Sequence, residues 1–194
     1  YLRTDSVRVS SAAKEAASEF ITKKFGKEYS SNNSFSNKNK DIQDAHEAIR
    51  STDIKLEPEI IRDSLTADQF KLYSLVWNRF VASQMPAAEF DTVTVTIENN
   101  GYEFRASGSR LVFDGWRRVY PIANEKDSYV PELQKGDELK CKELIKEQKF
   151  TQPPARYTEA GLVKEMEEKN IGRPSTYSAI ITTLTDRRYV TREK

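Results

Sequence analysis

Thr66-Ala67-Asp68-Gln69-Phe70-Lys71-Leu72-Tyr73-Ser74-Leu75-Val76-Trp77-Asn78-Arg79-Phe80-Val81, followed soon after by Thr92-Val93-Thr94-Val95-Thr96-Ile97, decides the fold class. In the first stretch Thr66 and Gln69 have the spacing of a capping box, and Phe70, Tyr73, Val76, Trp77, Phe80 and Val81 recur every third or fourth residue. That spacing predicts an amphipathic helix ending near Met85-Pro86, with its aromatic stripe spent on core packing. In the second stretch the period drops to two, threonines on one face and Val93, Val95 and Ile97 on the other, which predicts a strand. Asn99-Asn100-Gly101 supplies a turn and Tyr102 to Ser107 a partner strand. A chain that changes period in this way is mixed α+β.

Beyond the first hairpin, Leu111-Val112-Phe113, the turn Asp114-Gly115 and Trp116 to Tyr120 predict a second one. On such a strand the adjacent Arg117 and Arg118 would face opposite ways, at a solvated edge. After a polar loop over 124–128, Gly136-Asp137 introduces a further strand from Glu138 to Ile145, with Leu139, Cys141 and Ile145 on one side and Cys141 in a buried, structural role. Gln152-Pro153-Pro154 breaks the sheet. Thr158 then caps a helix bearing Leu162, Val163 and Met166, which ends at Asn170-Ile171-Gly172. Ser175 caps a second helix bearing Ile180, Ile181 and Leu184, with Arg187 and Arg188 complementing the dipole at its end and Tyr189-Val190 as a trailing strand. Two short helices, a Gly-containing turn and a wing have the form of a helix-turn-helix segment.

Toward the N-terminus, Ser10 or Ser11 caps a helix with Ala13, Ala17, Phe20, Ile21 and Phe25 on its inner face and Gly26 as its stop. Residues 27–40 are rich in Ser, Asn and Lys, anchored only by Tyr29 and Phe35, and predict a mobile loop. Three segments follow: a helical one over 1–86, an antiparallel β region over 87–150 and a helix-turn-helix-like end over 151–194.

Composition bounds the partners. With 31 Lys and Arg against 30 Asp and Glu the formal charge is +1, so any attraction for nucleic acid must come from local clusters. The single cysteine excludes an intramolecular disulfide framework and suits a reducing cytoplasm. Cys and His are too few for a zinc ribbon, and no apolar run approaches the roughly 20 residues that span a bilayer.

Three stretches carry candidate chemistry. In an extended Tyr1-Leu2-Arg3-Thr4-Asp5-Ser6, the Tyr1 phenol and the Arg3 guanidinium share a face. A phenol with a reference pKa of about 10 attacks phosphorus only when positive charge stabilises its phenolate, and Arg3 can supply that charge. In Asp44-Ala45-His46-Glu47-Ala48-Ile49-Arg50, a helix would project the lone histidine and Arg50 from one face as two donors toward a phosphate; the alternative is a histidine that packs beside Arg50. In Gly172-Arg173-Pro174-Ser175-Thr176-Tyr177, Arg173, the hydroxyls of Ser175 and Thr176, and the first amides of the helix can hold a phosphate; the alternative is an ordinary capped helix with Arg173 in water.

These three stretches, in this order, resemble the motifs of type IA DNA topoisomerases, and the His-Glu-Ala-Ile-Arg form is similar to bacterial topoisomerase I. Ser51 departs from the pattern, since proline usually follows the arginine in that family, and the expected consequence is a looser turn. The resemblance implies a mixed α+β fragment: a helical, helix-turn-helix-like segment bearing the catalytic tyrosine, a β region belonging to the gate or arch domain, and a helix-turn-helix-like DNA-binding end. It implies Tyr1 as nucleophile, Arg3 as transition-state stabiliser, His46 as a group holding or orienting the phosphate, and Arg50, Arg173, Ser175 and Thr176 as DNA contacts. The implied reaction cleaves one strand through a 5′ phosphotyrosine link, passes another strand and reseals, relaxing negative supercoils without ATP. Magnesium, in such enzymes, binds a Toprim domain that precedes the tyrosine, so no cofactor site is expected within this chain. The expected partner is DNA, chiefly single-stranded, and no membrane. A chain without that domain is expected to be inactive, which leaves a second reading: a single-stranded DNA binding or gate module, with stacking from Tyr157 or Tyr177. Sheet edges left uncovered would favour self-association.

Overall fold

The structure is a computed structural model that describes residues 6–35, 46–122 and 128–193. The Tyr1 and Arg3 positions, and Asp44 and Ala45, lie outside the described residues. Contacts divide the chain into two compact units, one from Ser6 to Asp137 and one that begins at Glu138.

The first unit is built on two helices. Helix α1, Ser11–Phe25, turns Ala13, Ala17 and Ile21 inward at the expected spacing and stops at Gly26, whose φ of 114° suits glycine. Helix α2, Ala67–Ser83, opens with both halves of the capping box: the Gln69 amide donates to Thr66 Oγ1 at 3.3 Å and the Thr66 amide to Gln69 Oε1 at 2.9 Å. Trp77, Phe80, Val81 and Met85 bury with Val9, Ala13, Ala17, Ile21 and Ile54 in one core. Phe20 meets Trp77 edge to face at 5.7 Å. The segment before α2 is held by the aromatic donors of that helix, Trp77 Nε1 to the Ile54 carbonyl at 2.9 Å and the Tyr73 hydroxyl to the Leu56 carbonyl at 2.6 Å.

Strands β1, Glu89–Asn99, and β2, Tyr102–Phe113, pair antiparallel with Asn99 opposite Tyr102. Asn100 and Gly101, both at positive φ (51° and 80°), make the tight connection the sequence foretold. The expected second hairpin is absent: β2 runs on through Phe113, and Gly115–Arg118 forms a 3₁₀ turn. The cause is tertiary. Gly115, at φ 49°, lies against the Pro86 and Ala87 carbonyls, and the Trp116 amide donates to the Pro86 carbonyl at 3.0 Å. Arg118 consequently pairs with Asp114 at 3.4 Å and Arg117 lies over the Phe90 ring.

Part of the expected mobile loop is tied down. Lys27–Tyr29 is a 3₁₀ turn, the Tyr29 hydroxyl donates to Asp114 at 2.7 Å, and the Asn33 side-chain amide donates to the Ser83 and Met85 carbonyls at the end of α2. The remainder of that loop, from residue 36, lies outside the described residues.

In the second unit, Glu138 to Ile145 forms no strand and Cys141 is exposed, which corrects both expectations. Its apolar alternation is real, but among the described residues no ladder partner meets it, and a strand without one leaves its backbone to water. Helix α3, Glu159–Glu168, is capped by Thr158, whose Oγ1 accepts from the Gly161 amide at 3.0 Å. It ends in a Schellman turn with Asn170 at φ 58°, the Ile171 amide on the Met166 carbonyl and the Asn170 amide on that of Glu167. Helix α4, Tyr177–Asp186, ends the same way on Arg188 at φ 57°, so Tyr189-Val190 continues as a bend and not as a wing strand. Arg192 pairs with Glu159 and closes the two-helix segment. The whole is mixed α+β, with four helices and a two-stranded antiparallel sheet among the described residues.

Candidate active site

Ser6, the last residue of the first motif, is the first one described, and it is 7% exposed. From here the chain runs extended into α1 alongside the second motif. Alternate residues make the contacts, as an extended backbone requires. Ser6 Oγ donates to the His46 carbonyl at 2.6 Å and accepts from the Arg8 amide at 3.2 Å. The Arg8 carbonyl accepts from the Ala48 amide at 2.7 Å. The Ser10 amide donates to Glu47 Oε1 at 2.6 Å.

Residues 46–50 are not helical, so the expected shared helix face for His46 and Arg50 is absent, and the segment is tied instead to Ser6, Arg8 and Ser10 by the bonds above. The Ala48 amide and the His46 carbonyl, which a helix would have paired internally, are met by the Arg8 carbonyl and the Ser6 hydroxyl instead. Glu47 sits at the junction. One carboxylate oxygen takes the Ser10 amide at the start of α1 and the other takes Arg50 Nη2 at 3.1 Å. Hydrogen bonds from Ser10 hold its carboxyl down to about 2, with Arg50 adding a smaller share. Ser10 itself makes no side-chain cap, so the α1 N-terminus is closed by an acid from the second motif.

Arg50 is half-buried. Its Nη1 donates to the Ser51 carbonyl at 3.1 Å and its Nε is buried without an acceptor among the described residues. The side chain is 23% exposed, and each Nη nitrogen carries a second N–H beyond the bond it already makes, which is the part of the guanidinium an incoming oxyanion can meet. Ser51, standing where proline was expected, is 6% exposed.

The third motif lies in the second unit. Gly172, at φ 77°, turns the chain into a tight wrap around Arg173: the Thr176 and Tyr177 amides both donate to the Arg173 carbonyl, and the Thr176 hydroxyl accepts from the Arg173 amide at 2.8 Å while donating to its carbonyl at 3.0 Å. Pro174 suits this first turn because it has no amide to satisfy. Ser175 was expected to cap α4; the residue that closes the turn is Thr176, and Ser175 is left exposed. Arg173 is exposed too, with Nη1 on the Gly172 carbonyl at 2.8 Å. Tyr157 is 64% exposed and Tyr177 half-buried.

The DNA topoisomerase family profile matches residues 1–194, the whole of this sequence. The chain belongs to the DNA topoisomerase family. DNA topoisomerase 1 of Vibrio cholerae serotype O1 is 46% identical over 193 residues, which is 98% of this chain and 22% of that protein. A solved structure of full-length topoisomerase I from Thermotoga maritima superposes with a TM-score of 0.81 at 36% identity, covering 100% of this chain and 31% of that one. The mixed α+β architecture is thus that of a bacterial topoisomerase I, of which the chain spans a minor part.

Among the described residues no group of three or more His, Cys, Asp and Glu is placed to hold a metal ion, and no helix is long and apolar enough to cross a membrane.

Sequence reasoning singled out His46 and Arg50, read Ser10 only as a candidate helix cap, and gave no role to Ser6 or Glu47. Ser10 and Glu47 are 37 residues apart, and no local pattern announces their contact.

Proposed function

We propose that this chain carries the strand-cleaving tyrosine and part of the DNA-binding surface of a type IA topoisomerase, which breaks one DNA strand transiently and reseals it. The observation that supports this most directly is the hydrogen bond from Ser6 to the His46 carbonyl, because it fixes the tail of the tyrosine motif to the histidine motif. The Tyr1 oxygen attacks phosphorus, a bond forms to the 5′ phosphate, and the bond to the 3′ oxygen breaks, that oxygen leaving with a proton. One phosphodiester is exchanged for another, so resealing by the 3′ hydroxyl needs no ATP. Between the two steps a second strand passes, and negative supercoils relax.

Arg3 stabilises charge on the pentavalent phosphoryl group, and His46 and Arg50 hold or orient the phosphate. Arg173 and Ser175 engage the single strand from the second unit, while Thr176, whose hydroxyl is already used on the Arg173 peptide, shapes the turn that presents them. Magnesium belongs to a domain outside this chain, so the 194 residues alone bind single-stranded DNA without turning over. The name of the Vibrio relative and the extent of the match favour the enzymatic reading over an unrelated binding module.

The decisive experiment uses the full-length protein carrying this segment and an oligonucleotide labelled at its 3′ end. A 5′ phosphotyrosine link leaves the label on the protein after denaturation. Tyr1→Phe is expected to abolish the labelled adduct and retain DNA binding. An adduct that persists in the Phe variant moves the nucleophile elsewhere and removes the basis of the reading.

A further inference from the structure

We infer that Glu47 is a positioning residue for DNA binding: its carboxylate bridges the amide of Ser10, just ahead of α1, and the guanidinium of Arg50, and so fixes the direction in which Arg50 meets a phosphate. The inference rests on the proposed function, in that it takes Arg50 as a phosphate contact.

Three observations lead to it. The Glu47 bridge is bidentate across elements, Oε1 to the Ser10 amide at 2.6 Å and Oε2 to Arg50 Nη2 at 3.1 Å. The opposite end of the guanidinium is held as well, Nη1 on the Ser51 carbonyl at 3.1 Å, so two points define its plane. Nε, held in that plane, is buried and has no acceptor among the described residues. An arginine on a flexible stem loses rotamer freedom when it binds a phosphate; one already clamped has lost it beforehand. A carboxylate pairing with Arg50 would also compete with phosphate for the same charge. The geometry decides between these effects: Glu47 and the Ser51 carbonyl each take one N–H of Nη2 and Nη1, and the second N–H of each, on a side chain 23% exposed, is left for a phosphate.

The test measures anisotropy of a fluorescein-labelled single-stranded oligonucleotide with the full chain, at several salt concentrations. Glu47→Gln keeps an oxygen for the Ser10 amide but removes the anion that holds Arg50. It is expected to weaken binding about tenfold, like Arg50→Ala, with no further loss when the two are combined. The slope of log affinity against log salt should shrink by about 0.7 in each single variant, as for one lost phosphate contact on a single strand. A purely structural role would leave that slope alone, whatever the loss of stability; E47D, which keeps the charge, should retain the slope of the unsubstituted chain if Glu47 acts by holding Arg50. Binding by E47Q that equals or exceeds the unsubstituted chain, or losses that add in the double variant, overturns the inference while leaving the proposed function intact. An Arg50→Ala variant that binds normally takes the Arg50 assignment and this inference down together.

Discussion

The Ser6 hydroxyl donates to the His46 carbonyl at 2.6 Å while accepting from the Arg8 amide at 3.2 Å, so one small side chain joins two motifs 40 residues apart. Ser6→Ala leaves a carbonyl and an amide to find other partners in a site that is nearly closed to water. The expected cost is about 1–2 kcal/mol, since removing one partner of a buried hydrogen bond strands the other. Urea denaturation followed by tryptophan fluorescence would report it through Trp77 in the same core. A change within error of zero would mean that the two motifs are held together by other contacts.

Glu47 makes acid stability measurable. Its carboxyl is lowered in the folded chain from the ordinary 4.5 to about 2, so the folded state prefers the ionised form. The stabilisation is complete above the unfolded value and is lost as pH falls toward the folded one, a window from about pH 5 down to about pH 2. The side chain is 36% exposed, and solvent screening reduces the contribution to on the order of 1 kcal/mol. In Glu47→Gln the stability at pH 7 falls by that amount and the difference from the unsubstituted chain closes as the pH is lowered through this window. A difference that stays constant from pH 7 to pH 2.5 contradicts the assignment.

What was legible in the sequence was local. The capping box at Thr66 and the stripe from Phe70 to Val81 specify α2 within one segment, and Asn100-Gly101 specifies its turn by its two residues alone. Asp114-Gly115 has the same hairpin form, yet the Pro86 carbonyl captures the Trp116 amide and ends the strand, a contact that no window around Gly115 contains. The alternation around Cys141 failed for the converse reason: a strand is defined by its neighbour, and the residues themselves carry only half of the pattern. At the site, the types His46, Arg50 and Arg173 could be picked out by charge. The bridge from Glu47 to Ser10 could not, because the approach of residues 46–48 to residues 6–10 depends on chain path.

Gly115 gives a sharp test of that tertiary capture. A Cβ there would lie 2.5 Å from the Ala87 carbonyl oxygen and 2.6 Å from that of Pro86, both backbone atoms, and φ is 49°. Gly115→Ala therefore meets strain and collision together, and should cost about 2 kcal/mol or more. Gly101→Ala, at φ 80° with nothing within 4 Å, meets strain alone and should cost about half as much. Paired chemical denaturation curves decide it: equal losses would mean that the 86–87 segment moves aside freely.

Ser175 and Thr176 separate fold from function in the third motif. Thr176 Oγ1 accepts from the Arg173 amide and donates to the Arg173 carbonyl, at 2.8 and 3.0 Å, closing the turn that precedes α4 and making no side-chain cap to the helix itself. Thr176→Val keeps the shape and removes both bonds, so the turn leading into α4 should loosen and stability should drop by about 1 kcal/mol. Ser175 is exposed and takes no part in that closure. Its replacement by alanine should leave the denaturation midpoint within about 0.5 kcal/mol of the unsubstituted chain, and on the proposed reading should weaken single-stranded DNA binding all the same. The Arg173→Ala variant should weaken it further, with the salt slope reduced by about 0.7. Binding that is unchanged in both Ser175→Ala and Arg173→Ala, with the fold intact, would leave the third motif as a helix start and nothing more.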